Sequence, residues 1–198
     1  MLTLAPFTFC ANNVPGTDPI RAMDMARRCG FHTIELSAID GISEQIVAER
    51  VSPEYVMQIE RELQKRDLQC TALSAHCDMT DEAQFARLLK KIEFAGQVGA
   101  QLVNTRCGPK TRYDVFLEHV KRAAELADRY GMRLGLESYG DIVGPASECG
   151  DAAACSRSWI CRTSNIPMTR EIPTASAGAR SGWTRICRTP PCRSRICT

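Results

Sequence analysis

A repeated unit constrains this chain more than any other feature. A helical pattern, a break at or near a glycine and a short apolar strand follow one another four times. The copies are MARRCG then FHTIELSAI, LQKRD then LQCTALSAH, GQVGA then QLVNTRCG, and DRYGM then RLGLESYG. Their strands begin near Thr33, Cys70, Gln101 and Arg133, spacings of 37, 31 and 32 residues, the length of a strand with its crossover helix. With TLAPFTF near residues 3–9 as a first strand, five strands and four helices alternate strictly. Such alternation predicts parallel strands buried on both faces.

The helices between the strands have local causes. Asp18-Pro19 opens the first, and Ser52-Pro53 gives the second an N-cap with Pro at the first helical position. Val56, Ile59 and Leu63 then share a face. Thr80 is expected to cap the third helix, where Phe85, Leu88, Leu89, Ile92 and Ala95 form an apolar stripe beside Arg87, Lys90, Lys91 and Glu93. After Lys110-Thr111, residues Phe116, Val120, Ala123, Leu126 and Ala127 repeat the pattern. Gly30, Gly99 and Gly131 stand where a left-handed helix end is wanted. A doubly wound sheet would satisfy the same alternation, but it advertises a Gly-rich phosphate turn after an early strand, and none is present. The chain therefore reads as α/β, an incomplete (β/α)8 TIM barrel of about five strands and four helices, three strands short of closure.

Composition divides the chain near residue 145. Residues 145–198 contain no Leu, Val, Phe, Tyr, Lys or His, yet hold six of the eleven cysteines, both tryptophans and eight Arg against three acidic residues. The expected domains are a partial barrel over 1–144 and an irregular segment over 145–198, with too little apolar area to offset the entropy of ordering. That segment has neither a Cys-x-x-Cys pair nor a His for structural zinc, and no interleaved aromatics for nucleic acid. No apolar run reaches the roughly 18 residues of a membrane span, and MLTLAPFTFC lacks the basic start of a signal peptide, so a cytoplasmic protein is expected. The remaining cysteines, Cys10, Cys29, Cys70, Cys77 and Cys107, are odd in number and fit reduced thiols used as small core residues.

In a barrel the reactive residues stand at the C-terminal ends of the strands. Those ends offer Glu35 with Ser37, then Ser74, His76 and Asp78, then Asn104, Arg106 and Cys107, and finally Glu137 with Ser138 and Tyr139. Glu137 is the most telling, because Arg-Leu-Gly-Leu-Glu ends a largely apolar strand in a carboxylate. A buried charge costs on the order of several kcal/mol unless it is paired or bound to a cation. Cys77 and Cys107 are read as spectators, since spacing places no base beside them.

GFHTIELSA, LSAHCD, GAQLVNTRCGP and YGMRLGLESYGD, in this order over roughly residues 1–144, resemble the xylose isomerase-like sugar phosphate isomerases and epimerases. The resemblance implies a (β/α)8 barrel that binds a divalent metal (Mn, Mg or Zn) through Glu, Asp, His and Glu at the ends of strands five to eight. It also implies proton transfer next to a carbonyl of a small-molecule sugar or keto acid. Residue by residue, it makes Glu137 the first metal ligand, with a catalytic part in the transfer. His76 becomes a pocket residue at the end of strand three, Glu35 the acidic residue of the strand-two motif, and Arg106 a clamp for a substrate carboxylate or phosphate. Each has a structural rival: an ion pair with a barrel Arg for Glu137, a loop hydrogen bond for His76, an ion pair for Arg106, and the orientation of neighbours for Glu35. The other three metal ligands have no counterpart in the chain, so this chain is expected to be inactive.

A shifted reading frame accounts for the composition after 145. Taking the third base of each codon with the first two of the next, Met168-Thr169, Trp159-Ile160 and Trp183-Thr184 each force Asp, and Glu171-Ile172 forces Asn or Asp. IPMTREIPTASAGAR can then be decoded, with permitted codons, as TYDTGNTYRFSRGA, which resembles the family's strand-six motif and its Asp ligand. The shift would lie between about Gly144 and Cys155. The alternative is a non-catalytic product of a disrupted gene, with self-association through exposed sheet edges. A metal-dependent endonuclease-like barrel fits less well, because such sites use several His and the chain has three.

Overall fold

A computed structural model describes residues 7–137 and 142. The expected irregular segment, 145–198, lies outside the described residues. The elements are β1 (Phe9–Cys10), α1 (Pro19–Arg28), β2 (Thr33–Ser37), α2 (Pro53–Lys65), β3 (Gln69–Ser74), α3 (Glu82–Gln97), β4 (Leu102–Thr105), α4 (Tyr113–Arg129) and β5 (Arg133–Leu136). The strand expected near residues 3–9 thus appears at Phe9–Cys10, where its register with Ile34 and Glu35 of β2 begins.

All four strand pairs are parallel and the sheet order is sequential, β1-β2-β3-β4-β5. Right-handed crossovers between successive neighbours bring every helix to the same face. A doubly wound sheet would reverse its order at a switch point and carry helices on both faces. The winding is therefore that of a partial (β/α)8 barrel.

The helix-facing side of the sheet carries the core. Ile34, Leu36, Leu73, Val103, Leu134 and Leu136 are buried against Met23, Ile59, Leu88 and Phe116 in one apolar cluster. The other face is polar and also buried, in keeping with strands buried on both faces: Ser37, Ser74 and Asn104 are all buried there. Side chains alternate along a strand, so Glu35 in β2 points away from Ile34 and Leu36. Its Oε1 accepts hydrogen bonds from Ser74 Oγ of β3 at 2.6 Å and Asn104 Nδ2 of β4 at 3.1 Å. Asn12, in the turn after β1, donates from Nδ2 to Ser74 Oγ at 3.1 Å. In β5 the same tier is occupied by Gly135, where an added Cβ would lie 2.4 Å from Asn104 Oδ1. The inner face is thus a cross-strand polar tier, and the glycine in Arg-Leu-Gly-Leu is the space that Asn104 fills.

The helix starts follow their sequence cues with one exception. Asp18 Oδ1 accepts from Ile20 N at 2.9 Å and Ser52 Oγ accepts from Tyr55 N at 3.2 Å, each ahead of a Pro. The third helix is capped by Asp81, whose Oδ1 accepts from Gln84 N at 2.9 Å, and not by Thr80. Thr80 is engaged elsewhere: its N–H and Oγ1 both donate to Asp78 Oδ1, at 2.8 and 2.7 Å. Gly30, Gly99 and Gly131 do take positive φ after their helices, and Asp67, at φ +52°, fills the same place after α2. Cys70, Cys77 and Cys107 are buried thiols as expected, but Cys29 at the end of α1 is exposed.

Gly96 sets how closely α3 meets the end of α4. A Cβ there would lie 2.3 Å from Cγ and 2.7 Å from Cβ of Tyr130, the root of that side chain and not its mobile tip. Alanine gains about 1 kcal/mol of helix propensity, while overpacking costs about 1–3 kcal/mol. Gly96→Ala is therefore expected to destabilise the chain by about 1 kcal/mol in urea denaturation. The same change in a Tyr130→Gly background, which removes the Cβ as well as the ring, should stabilise it. A gain in the wild-type background would show that the contact does not limit the packing.

Candidate active site

Backbone bonds at the sheet's C-terminal edge place two titratable side chains opposite each other. Ala75 N donates to Asn104 O at 2.8 Å and leads β3 into His76, while Glu137 N donates to Thr105 O at 2.9 Å and extends β5 by one residue. His76 Nε2 then lies 3.0 Å from Glu137 Oε1, with the two side chains only 5% and 12% exposed. His76 Nδ1 is buried and has no hydrogen-bond partner among the described residues. The half-buried carboxylate at the end of Arg-Leu-Gly-Leu-Glu thus has an imidazole nitrogen for a neighbour two strands away.

Beside this pair opens a cleft of about 430 Å³, walled by the three loops that follow β2, β3 and β4. Ile39, Asp40 and Ile42 form one wall, His76, Cys77, Asp78 and Gln84 a second, and Arg106, Gly108 and Pro109 a third. The structure therefore brings His76 and Arg106 to one cleft and Glu137 into contact with His76. Glu35 is not among the cleft's lining residues; it lies on the inner face of the sheet, holding Ser74 and Asn104. Burial pushes the thiol of Cys77 up to about 11, against a hydrogen bond with Thr105, and that of Cys70 up to about 12. Both are neutral thiols near pH 7.

Sequence reasoning passed over Asp40, Gln84 and Gly108. Gly108 has φ +119°, and a Cβ on it would lie 2.4 Å from Asp78 Oδ1, so only glycine lets the third wall approach the second so closely. Gln84 Oε1 accepts from Asp78 N at 3.0 Å, which fixes its amide and turns the NH2 group away from that bond. Asp40 ties its loop to α3. It accepts from Lys91 Nζ at 2.6 Å and from Arg87 Nε and Nη2 at 2.9 and 3.0 Å, while Arg87 Nη1 also reaches Glu49. The Asp-Gly turn after strand two and the two cations one helical turn apart on α3 were visible, but nothing local pairs them across 47 and 51 residues.

A family model describing a xylose isomerase-like TIM barrel matches residues 23–154, and the chain belongs to that family. No curated protein matches the sequence. Among solved structures, a xylose isomerase-like TIM barrel protein from Mycobacterium smegmatis in complex with magnesium is 17% identical. It has a TM-score of 0.63 over 77% of this chain and 60% of its own. A probable 3-DHS dehydratase from Bacillus anthracis is 14% identical, with a TM-score of 0.60 over 84% of this chain and 62% of its own. A D-tagatose 3-epimerase-like protein is 14% identical, with a TM-score of 0.53 over 67% of this chain and 52% of its own. At these identities the likeness is one of fold, and the chain spans about 60% or less of the length of these structures.

The described residues do not by themselves fit a divalent cation. No three His, Cys, Asp or Glu residues among them come together as a metal site, and Oε1 of Glu137 faces an imidazole nitrogen. Two donors locked to each other leave a hard cation short of the oxygen ligands it requires.

Asp40 gives the site a pH signature. Burial opposes ionisation of its carboxyl, and hydrogen bonds and charge from Arg87 and Lys91 outweigh burial, holding it below its ordinary value of 3.8. A depressed carboxyl contributes stability that is present above the ordinary value and lost as pH falls through the folded one. Urea midpoints at neutral pH and near pH 3 should therefore converge in Asp40→Asn relative to wild type. Parallel losses in the two proteins would show that this network does not link loop to helix in the acid range.

Proposed function

We propose that residues 1–144 are the first part of a sugar phosphate isomerase/epimerase-like barrel and that the 198-residue chain does not turn over substrate. The meeting of His76 and Glu137 at 3.0 Å beside the cleft carries this reading. Proton transfer next to a carbonyl needs a base and acid positioned within hydrogen-bond reach of substrate, at a site sheltered from water. A buried His–Glu pair can hold a proton between Nε2 and Oε1. Arg106, from the opposite wall, has the planar fork suited to a carboxylate or phosphate on a sugar or keto acid. Glu35 acts one tier lower, fixing Ser74 and Asn104 beneath the pair.

The divalent cation implied for the family belongs to the whole barrel, where Glu137 is one ligand of four. In this chain Glu137 has His76 in its place. The expected continuation, TYDTGN, would bring the next carboxylate, and it is encoded only if the frame changes before it. The family match supports a break in that interval, since it ends at residue 154. On this reading residues 145–198 are out-of-frame text, and the chain is a non-catalytic product of a disrupted gene.

The nucleotide sequence across codons 144–155 tests this. It should show a small insertion or deletion relative to a frame that runs through TYDTGN to a strand-seven His and a strand-eight Glu. The frame-restored chain should then incorporate solvent deuterium next to the carbonyl of a sugar or keto acid, read by mass spectrometry across a substrate panel. The 198-residue chain should incorporate none. Stops throughout the alternative frame, or deuterium incorporation by the 198-residue chain, would contradict the proposal.

A further inference from the structure

The cleft wall that follows β3 carries polar atoms with no part in proton transfer. Gln84, in the first turn of α3, is exposed and lines the cleft. Its Oε1 accepts from Asp78 N at 3.0 Å, so the amide cannot turn over without losing that bond. Nε2 is left with two N–H donors that none of the described residues engages. Asp78, beside it on the same wall, uses one carboxylate oxygen within the loop: Oδ1 accepts from Thr80 N and Oγ1 at 2.8 and 2.7 Å, which leaves Oδ2 as an acceptor. The loop itself is held from behind. Met79 N donates to Cys107 O at 3.2 Å, and Nδ1 of His119, on α4, lies 2.6 Å from Met79 O. A donor and an acceptor thus stand together on a wall that is already ordered, which lowers the entropic cost of binding.

The other loops present a different chemistry. Ile39 and Ile42 line the cleft after β2, and Pro109 lines it after β4. Ile42 is 75% exposed, an unusual place for a large apolar side chain. Both oxygens of Asp40 are engaged by Arg87 and Lys91, so what the loop after β2 offers a ligand is its two isoleucines. A site of this kind suits a molecule with a hydroxyl edge and a C–H face.

We propose that the cleft takes the neutral polyhydroxy portion of a sugar, with Asp78 and Gln84 reading two adjacent hydroxyl groups and Ile39 and Ile42 covering the C–H face. Resting on the assignment of the cleft as a substrate site, this narrows a sugar or keto acid to a sugar. One hydroxyl donates to Asp78 Oδ2 while the oxygen of its neighbour accepts from Gln84 Nε2. A keto acid's carboxylate and a phosphate only accept. Either could meet the Gln84 donors, but each would bring its charge against the Asp78 carboxylate. The wall therefore selects for groups that both donate and accept.

In the full chain, the side-chain NH2 of Gln84 and the methyl groups of Ile42 report binding directly by NMR. Titration with the D-ketohexoses, each alone, should move both signals saturably for at least one sugar. Pyruvate and inorganic phosphate should leave the Gln84 amide in place. Asp78→Asn keeps an oxygen for Thr80 and puts an NH2 group where Oδ2 stands. The sugar should then bind about tenfold more weakly, the loss expected for one charge-assisted hydrogen bond, and pyruvate should now move the Gln84 amide. In Gln84→Met, sugar binding read at Ile42 should weaken by a smaller factor, about fivefold, because a neutral hydrogen bond is lost. Three results overturn the proposal: no saturable shift with any ketohexose, a Gln84 amide that answers to pyruvate or phosphate as strongly as to sugar, or unchanged sugar affinity in Gln84→Met. Should Asp78→Asn fail to fold, Gln84→Met decides, because that side chain is exposed. Deuterium incorporation by the frame-restored chain is a separate readout. Turnover there without sugar binding at Asp78 and Gln84 would overturn this subsite and leave the isomerase/epimerase-like assignment standing.

Discussion

Five parallel strands that pair in sequence order leave no choice about where the helices go. Each right-handed crossover covers the same side of the sheet, so one face is sealed by α1 to α4 and the other is left to line the interior. The two faces accordingly have different chemistry. Against the helices stand Ile34, Leu36, Leu73, Val103, Leu134 and Leu136. On the inside, Asn12, Ser74, Glu35 and Asn104 form a hydrogen-bonded chain across four strands or their ends, closed by the space at Gly135. A half-buried carboxylate, Glu35, is tolerable there because two donors meet it.

The strand ends inherit that order. His76 and Glu137 face each other because β3, β4 and β5 are held in register by backbone bonds that continue past the strands. The loops above them are fixed separately. Asp40 anchors the first to Arg87 and Lys91, and Gly108 allows the third to close on Asp78. His119 clamps the second. The cleft is thus built by side chains reaching from helices to loops, while the His76–Glu137 pair is built by the sheet. A change in one set need not move the other, which separates loop effects from effects at the pair.

Periodicity and caps carried the fold into the sequence. The strand starts at Thr33 and Arg133 and the caps at Asp18 and Ser52 depend on neighbours within a few residues, so they could be read directly. Thr80 misled because Asp78 offered its hydroxyl a closer acceptor and Asp81 stood one residue nearer the helix. The polar inner face was hidden for another reason: in strands of four to six residues, Thr, Ser and Gln fall on both faces beside Glu35, Ser74 and Asn104, so no alternation stands out. At the site, Glu137 was legible as a carboxylate ending an apolar strand. Its partner was not, since the register that joins β3 to β5 through β4 appears in no local pattern. Asp40 and His119 escaped notice because their partners lie on other elements, 47 residues away for Arg87 and 40 for Met79.

Glu137 ends β5 against His76, and among the described residues no three His, Cys, Asp or Glu come together there as a metal site. Calorimetric titration of the metal-stripped 198-residue protein with Mn²⁺ tests that most directly. Heat no greater than that of Glu137→Ala over the whole titration is the expected result. Saturable binding of one equivalent that disappears in Glu137→Ala would contradict the account, for it would mean that the chain assembles a complete cation site around that carboxylate.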